Sequence, residues 1–324
     1  NYLEVMGRLS ESEGPQWLID DLQMQLIYDS AEARKDYERS PAWLKKLCNA
    51  FADGVNYYLA THPQTKPSVL QRFEPWFPLM YTDGSISATQ TAELTAADTK
   101  RLYLPNSTAF LRHKEVTEPT GSNGFAVAPG RSASGKAMLY INPHVTFYFR
   151  NEVHMVSAEG LNVYGAATWG NFFIYQGFNE SCGWMHTSSY ADVADLYAEK
   201  VKQQAGQWVY EYDGATRSVR SKELRIAVRD SAGNKKTQSF TVYYTHHGPV
   251  MGERAGTWLS LKERNRSLSA LQQSWLRTKA KSFAEFTKVM DLRSNNSNNT
   301  VYADKEGNIA YWHGNFMPIR DTAY

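Results

Sequence analysis

Gly121-Ser122-Asn123-Gly124-Phe125-Ala126-Val127-Ala128-Pro129-Gly130 is the stretch on which the reading of this chain turns. A Gly-Ser pair alone marks a turn. The residues beyond it are more specific. Phe125-Ala126-Val127-Ala128 is an apolar run of strand type, and Pro129-Gly130-Arg131-Ser132-Ala133-Ser134-Gly135-Lys136 reverses the chain. Ala137-Met138-Leu139-Tyr140-Ile141 is a second apolar run, leading into Asn142-Pro143-His144. Together they form a hairpin. In an antiparallel pair the start of one strand lies beside the end of the next. Ser122 and His144 are therefore expected close together in space.

Outward from the hairpin the chain changes character. Residues 1–62 read as helical: Trp17, Leu18, Leu22, Leu26 and then Leu44, Leu47, Phe51, Val55 and Leu59 recur at helical spacing. Ser40-Pro41 suits a helix start with proline at the first helical position. Residues 63–80, with Pro63, Pro67, Pro75 and Pro78, form an irregular connection, and 85–104 are helical again. Residues 105–121 are polar and loop-like. After Ser122 the pattern is of strands, at 163–166, 184–187, 195–198, 218–220, 224–228 and 240–244. A short helix is expected at 281–291 and strand again at 300–312. Helices, then sheet, then helix and sheet define an α+β chain.

Composition narrows the function classes. The 324 residues are 42% hydrophobic and 21% charged, as in an ordinary globular protein with ample material for a core. A formal charge of +2 offers no basic field for nucleic acid. No apolar run reaches membrane-spanning length. Cys48 and Cys182, one on a helical pattern and one beside a turn, read as two buried free thiols. His246 and His247 lack zinc-ligand spacing and would point to opposite faces of a strand. There is no Gly-x-Ser-x-Gly elbow.

Ser122-Asn123 with Ala126-Val127-Ala128-Pro129-Gly130 and Asn142-Pro143-His144 resembles the start of the catalytic chain of the penicillin and cephalosporin acylases. Further segments are similar to that family in the same order. They are Gly177-Phe178-Asn179-Glu180 with Gly183-Trp184, His246-His247-Gly248-Pro249-Val250, and Asn299-Thr300-Val301-Tyr302-Ala303-Asp304 with Gly307-Asn308-Ile309. Upstream, Ala50-Phe51-Ala52-Asp53-Gly54-Val55-Asn56-Tyr57-Tyr58-Leu59 looks like a helix of the family's smaller chain.

The resemblance implies an N-terminal-nucleophile amidohydrolase with an αββα sandwich, two stacked antiparallel sheets between helical layers. It implies a small-chain part at 1–104, a linker at 105–121 and the start of the catalytic chain at 122–324, within a longer precursor that is periplasmic or secreted. In the family a zymogen cuts itself before the serine, here between Gly121 and Ser122, and the two chains stay associated. The freed α-amine, with a reference pKa of about 7.7–8.0, then serves as base to the hydroxyl it is attached to.

By the same resemblance His144 orients the Ser122 amine and hydroxyl, the main chain at Ser188 supplies an oxyanion N–H, and Asn299 supplies a side-chain oxyanion donor. Val145, Phe147, Tyr175 and Gln176 fall where the family shapes its acyl pocket. Asp192, the Ala194 carbonyl and Asp195 match a structural calcium site, whose oxygen-only donor set suits a hard cation. The substrate implied is a small acyl amide: a β-lactam antibiotic side chain, an acyl-homoserine lactone or a lipopeptide. No organic cofactor is implied. A non-catalytic, uncleaved relative acting as a binding module is the alternative.

Overall fold

The computed structural model describes residues 2–81, 86–106, 121–145, 150–264, 267–314 and 316–322. Helices come first: α1 (Tyr2–Val5), α2 (Leu9–Glu13), α3 (Leu18–Ile27), α4 (Ser30–Arg39), α5 (Ala42–Thr61), α6 (Ala88–Thr91) and α7 (Ala96–Tyr103). Strands follow: β1 (Gly121–Val127), β2 (Met138–His144), β3 (Arg150–Ser157), β4 (Leu161–Thr168), β5 (Ile174–Asn179), β6 (Cys182–Ser188) and β7 (Asp195–Glu199). Next come β8 (Val201–Gln204), β9 (Gln207–Tyr212), β10 (Ala215–Ser218), β11 (Arg220–Arg229), β12 (Lys235–Tyr244), β13 (Val250–Arg254) and β14 (Thr257–Lys262). The last elements are α8 (Leu268–Arg277), α9 (Phe283–Met290), β15 (Asn298–Asp304) and β16 (Ile309–Trp312). Most of the expected linker, 107–120, lies outside the described residues.

Local chemistry sets the helix starts. Asp29 caps α4, accepting from the N–H groups of Ala31 and Glu32, each at 2.9 Å, while the Glu32 carboxylate accepts from the Asp29 N–H. Thr95 and Asp98 make the same reciprocal pair at α7. Pro41 is the extended residue before α5 rather than its first helical residue. The helical stretch expected at 85–104 is two helices, separated where Glu93 takes a φ of 52°.

The central sheet runs β16-β15-β6-β5-β4-β3, and the β1–β2 hairpin lies across its middle, over β6 and β15. Its other face is covered by α5, α8 and α9. Trp184 and Tyr302 from the sheet meet Leu44, Cys48, Leu271, Trp275, Phe286 and Met290 from the helices in one buried cluster. The result is α+β, antiparallel sheets stacked face to face with helices outside. Both cysteines are free and buried. Burial pushes the Cys48 thiol up to about 12, so it stays protonated and inert.

β4 and β5 approach unusually closely. Gly165 and Gly177 are register partners. A Cβ on Gly177 would stand 2.1 Å from the Tyr164 carbonyl oxygen and 2.8 Å from the Gly165 Cα. Only glycine fits.

A second cluster joins the early helices to the later strands. Leu18, Leu22 and Leu26 of α3 pack with Leu224, Ile226, Phe240, Val242, Met251 and Leu259. At its edge Asp98 of α7 binds Arg254 of β13, through Nε at 3.1 Å and Nη2 at 2.6 Å, and also pairs with Arg101. The Asp98 side chain is 1% exposed. Its burial raises the carboxyl pKa, but Arg254 and the Thr95 hydroxyl and N–H outweigh it and hold the group well below the usual carboxylate range. A depressed carboxylate stabilises the fold above its unfolded pKa, and that stability is lost as pH falls through the unfolded and then the folded value. Asp98→Asn is therefore expected to cost about 2 kcal/mol at neutral pH. In urea titrations the gap between variant and parent should narrow below about pH 4. A gap that stays constant to pH 3 would show that this ion pair does not supply the stability.

Candidate active site

The hairpin register is Gly121↔His144, Ser122↔Pro143 and Asn123↔Asn142, continuing to Val127↔Met138. Two glycines fix how it sits on the sheet. A Cβ on Gly124 would lie 2.2 Å from Met185 Sδ, and one on Gly183 would lie 2.9 Å from Leu139 Cδ2. Leu139 pairs with Ala126. Moving from Gly183 to Met185 on β6 thus moves from the level of Ala126 to that of Gly124. Side chains repeat every second residue, so the next step carries Ser122 towards Thr187. Thr187 pairs with Asn299, and Ser188 with Asn298. The Ser122–His144 end of the hairpin thus faces the end of the sheet that carries Thr187, Ser188 and Asn299.

Ser122 is half-buried, and its Oγ donates to the Gly121 carbonyl oxygen at 2.5 Å. His144 is exposed; its ring lies beside Gly121, with Nε2 3.1 Å from Asn142 Nδ2 and 3.4 Å from Asn123 Nδ2. The Asn299 amide is fully engaged. Nδ2 donates to Thr187 Oγ1 at 2.9 Å and to the Ser188 carbonyl at 3.3 Å. Its Oδ1 accepts from the Gly314 N–H at 2.7 Å and lies 3.0 Å from His313 Nδ1. The resemblance makes Asn299 a side-chain oxyanion donor; in this structure its amide ties the end of β6 to β15 and to the turn after β16.

The expected pocket residues divide. Val145 comes directly after β2 and is half-buried. Phe147 lies outside the described residues. Tyr175 and Gln176 are 2% and 1% exposed, set inside the sheet rather than bordering open space. Tyr175 carries the Arg150 guanidinium 3.8 Å above its ring, and Gln176 Oε1 accepts from the His186 N–H at 3.2 Å. β5 is an interior strand whose first four residues, Ile174–Gly177, are buried, which is why these two side chains are enclosed. His186 is itself buried. Burial first, then the nearby Arg277 and Arg150 charges, push its pKa well below the ordinary value, so it stays neutral.

His246 and His247 are on a bend, not a strand, and their rings are 3.8 Å apart rather than on opposite faces. The bend arises because Tyr244 bridges back to Pro249.

Two of the residues expected to bind calcium, Asp192 and Asp195, are engaged by Arg320. Arg320 Nε donates to Asp195 Oδ1 at 2.7 Å, and Nη2 to the Asp192 main-chain oxygen at 2.7 Å. A guanidinium held on these oxygens supplies positive charge against both carboxylates and takes oxygens that a divalent ion would need. As arranged, the residues do not fit calcium. Thr187, His313, Gly314 and Arg320 were not singled out from sequence; each acts by hydrogen bonds to residues far away along the chain, and no local spacing announces that.

Ser122 is the second residue of β1, its hydroxyl against the preceding carbonyl, in an α+β frame of antiparallel sheets. The family model for penicillin amidase matches residues 1–324, and the chain belongs to that family. It is 23% identical over 308 residues to the acyl-homoserine lactone acylase QuiP of Pseudomonas fluorescens, covering 80% of this chain and 37% of that protein. It is 27% identical over 229 residues to the acyl-homoserine lactone acylase PvdQ of Pseudomonas putida, covering 66% and 29%. The chain thus spans about a third of the length of these curated relatives. Among solved structures it resembles a thermostable penicillin G acylase from Alcaligenes faecalis, with a TM-score of 0.52 and 25% identity over 64% of this chain and 37% of that one. No helix among the described residues is long and apolar enough to cross a membrane.

Proposed function

We propose that this chain is the part of an acylase that carries its nucleophile, and that Ser122 first cuts the bond before it and then hydrolyses a small acyl amide. The observation that carries the reading is the Ser122 hydroxyl, 2.5 Å from the Gly121 carbonyl oxygen at the register point opposite Pro143. In maturation Oγ bonds to the Gly121 carbonyl carbon, the C–N bond breaks, and the Oγ proton passes to the departing nitrogen. Water then splits the ester, leaving a Gly121 carboxylate and a free Ser122 amine.

In turnover the same hydroxyl attacks the substrate carbonyl while the α-amine takes its proton. The amine product leaves with a proton, and water releases the acid from the acyl-enzyme. His144, beside Gly121, orients the new terminus. Main-chain N–H groups near Ser188 hold the oxyanion. Asn299 supports them by holding the Thr187–Ser188 end of β6. For direct donation its Nδ2 exchanges the longer bond, 3.3 Å to Ser188, for the substrate oxygen. Relatives named for acyl-homoserine lactones and for penicillin G favour a small acyl amide as the substrate.

The test is intact mass under denaturing conditions of the full-length product, together with a panel of acyl amides varied in acyl length and leaving amine. Two pieces divided at Gly121–Ser122 and release of acid support the reading. An uncut chain with no hydrolysis would overturn it and leave the non-catalytic reading standing.

Asn299→Ala is expected to lower acylation by roughly 10²–10³, read as kcat on the best substrate of that panel. A variant that melts lower but turns over at the parent rate would make Asn299 a brace only.

A further inference from the structure

Asp192-Val193-Ala194-Asp195 connects the end of β6 to β7, and it is held from two sides. Val193 and Ala194 are buried, at 5% and 3% exposure, with Ala194 in the cluster shared with α3 and β14. Asp195 opens β7 opposite Lys262. The oxygens on the outer side of the turn converge on one group, the Arg320 guanidinium. Its Nε and Nη2 each make a 2.7 Å bond, to Asp195 Oδ1 and to the Asp192 carbonyl, and Nη2 lies 3.3 Å from Asp192 Oδ1.

We propose that Arg320 is the built-in cation of this turn, in place of the calcium ion that the family resemblance implies. A divalent ion of this kind takes six to eight oxygens at about 2.3–2.6 Å. The planar fork of a guanidinium instead spans two separated acceptors with two aligned donors. Once seated, it repels a second cation and occupies Asp195 Oδ1, one of the oxygens that the ion would use. The bond to Asp195 carries most of the attraction, because Asp195 is 24% exposed and Asp192 70%. A mostly solvated carboxylate adds little; Asp192 contributes mainly through its main-chain oxygen. The consequence is structural. The segment between Ser188 and β7 is tied to the stretch after β16, through a charge that no chelator removes. Arg320 is thus a positioning residue for the loop beyond Ser188. This holds whether or not the chain hydrolyses amides.

The experiment uses the full chain as parent, Arg320→Gln, Arg320→Lys, Asp195→Asn and the double variant Arg320→Gln/Asp195→Asn. Each is dialysed against calcium, analysed for bound metal, and melted in calcium and in chelator. The parent is expected to hold no stoichiometric calcium and to melt at one temperature in both. Arg320→Gln should melt lower by roughly 2–4 °C in chelator and recover when calcium is added, since the two carboxylates are then free to take it. Arg320→Lys should fall between. Asp195→Asn should cost about as much as Arg320→Gln, and the double variant should lose little more than either, as partners in one contact do. One calcium per parent chain with a chelator-sensitive melt would overturn the proposal. So would additive losses in the double variant, or an Arg320→Gln chain indistinguishable from the parent. If Arg320→Gln does not fold, Arg320→Lys and Asp195→Asn decide by the same readings.

Discussion

A Ser122→Ala chain is expected to remain one piece on a denaturing gel and to release no acid from any acyl amide. A methyl group has neither the lone pair that attacks the Gly121 carbonyl nor the proton that must reach the departing nitrogen. Loss of such a nucleophile lowers kcat by roughly 10⁴–10⁶-fold. The fold should survive, because the substitution removes only the 2.5 Å bond from the Ser122 hydroxyl to Gly121, worth about 1 kcal/mol. Melting temperature is the control. Efficient scission between residues 121 and 122 in the alanine chain would sink the proposed chemistry, whatever the activity of the product.

Gly177→Ala should be strongly damaging to the sheet. The added methyl would sit 2.1 Å from the Tyr164 carbonyl and 2.9 Å from Ile174 Cγ2, and a ladder partner cannot step aside. The strands must part, at a cost of about 3–4 kcal/mol. β6 is the next strand along, so turnover should fall with stability. Gly54→Ala is the matched control: it lies inside α5 with nothing within 4 Å of a new Cβ. It should be neutral or stabilising by roughly 0.5–1 kcal/mol. Urea midpoints read both. Equal midpoints for Gly177→Ala and the parent would mean that β4 and β5 do not approach as described.

What could be read in the sequence was local. The hairpin from Gly121 to His144 declared itself through two apolar runs and a Pro-Gly turn, and its register comes from those. α9 declared itself by a clean apolar stripe. α8 did not: Leu268, Leu271 and Trp275 do recur at helical spacing, but Gln273, Ser274 and Arg277 are buried among them and blur the stripe. In β5 the run Ile174–Gly177 is buried without alternation, and only Phe178 beyond it is exposed.

Several residues that carry the family resemblance turn out to shape turns. Asp304 accepts from the N–H groups of Glu306 and Asn308 and from the Asn308 side chain, closing the bend between β15 and β16. Asn179 accepts from Ser181 and Cys182 and donates to the carbonyls of Thr278 and Ala280. The site was legible only as a set of positions. That Asn299 is fully bonded, and that Arg320 sits on the turn at 192–195, depends on partners far off in sequence.

The bonds between the early helices and the later strands have a kinetic meaning. Tyr103 donates to the Val250 carbonyl, Asp98 meets Arg254, and the Ser10 hydroxyl reaches the Ala227 carbonyl across 217 positions. Contacts this distant along the chain give a high contact order, and such topologies assemble slowly. An unbroken backbone lets the pieces find each other at an effective concentration on the order of millimolar. Severed too early, they would depend on diffusion from whatever dilution the compartment imposes. If Ser122 does cut its own chain, assembly has to come first and scission after, so the intact Gly121–Ser122 link serves as a tether during folding before it becomes the enzyme's first substrate.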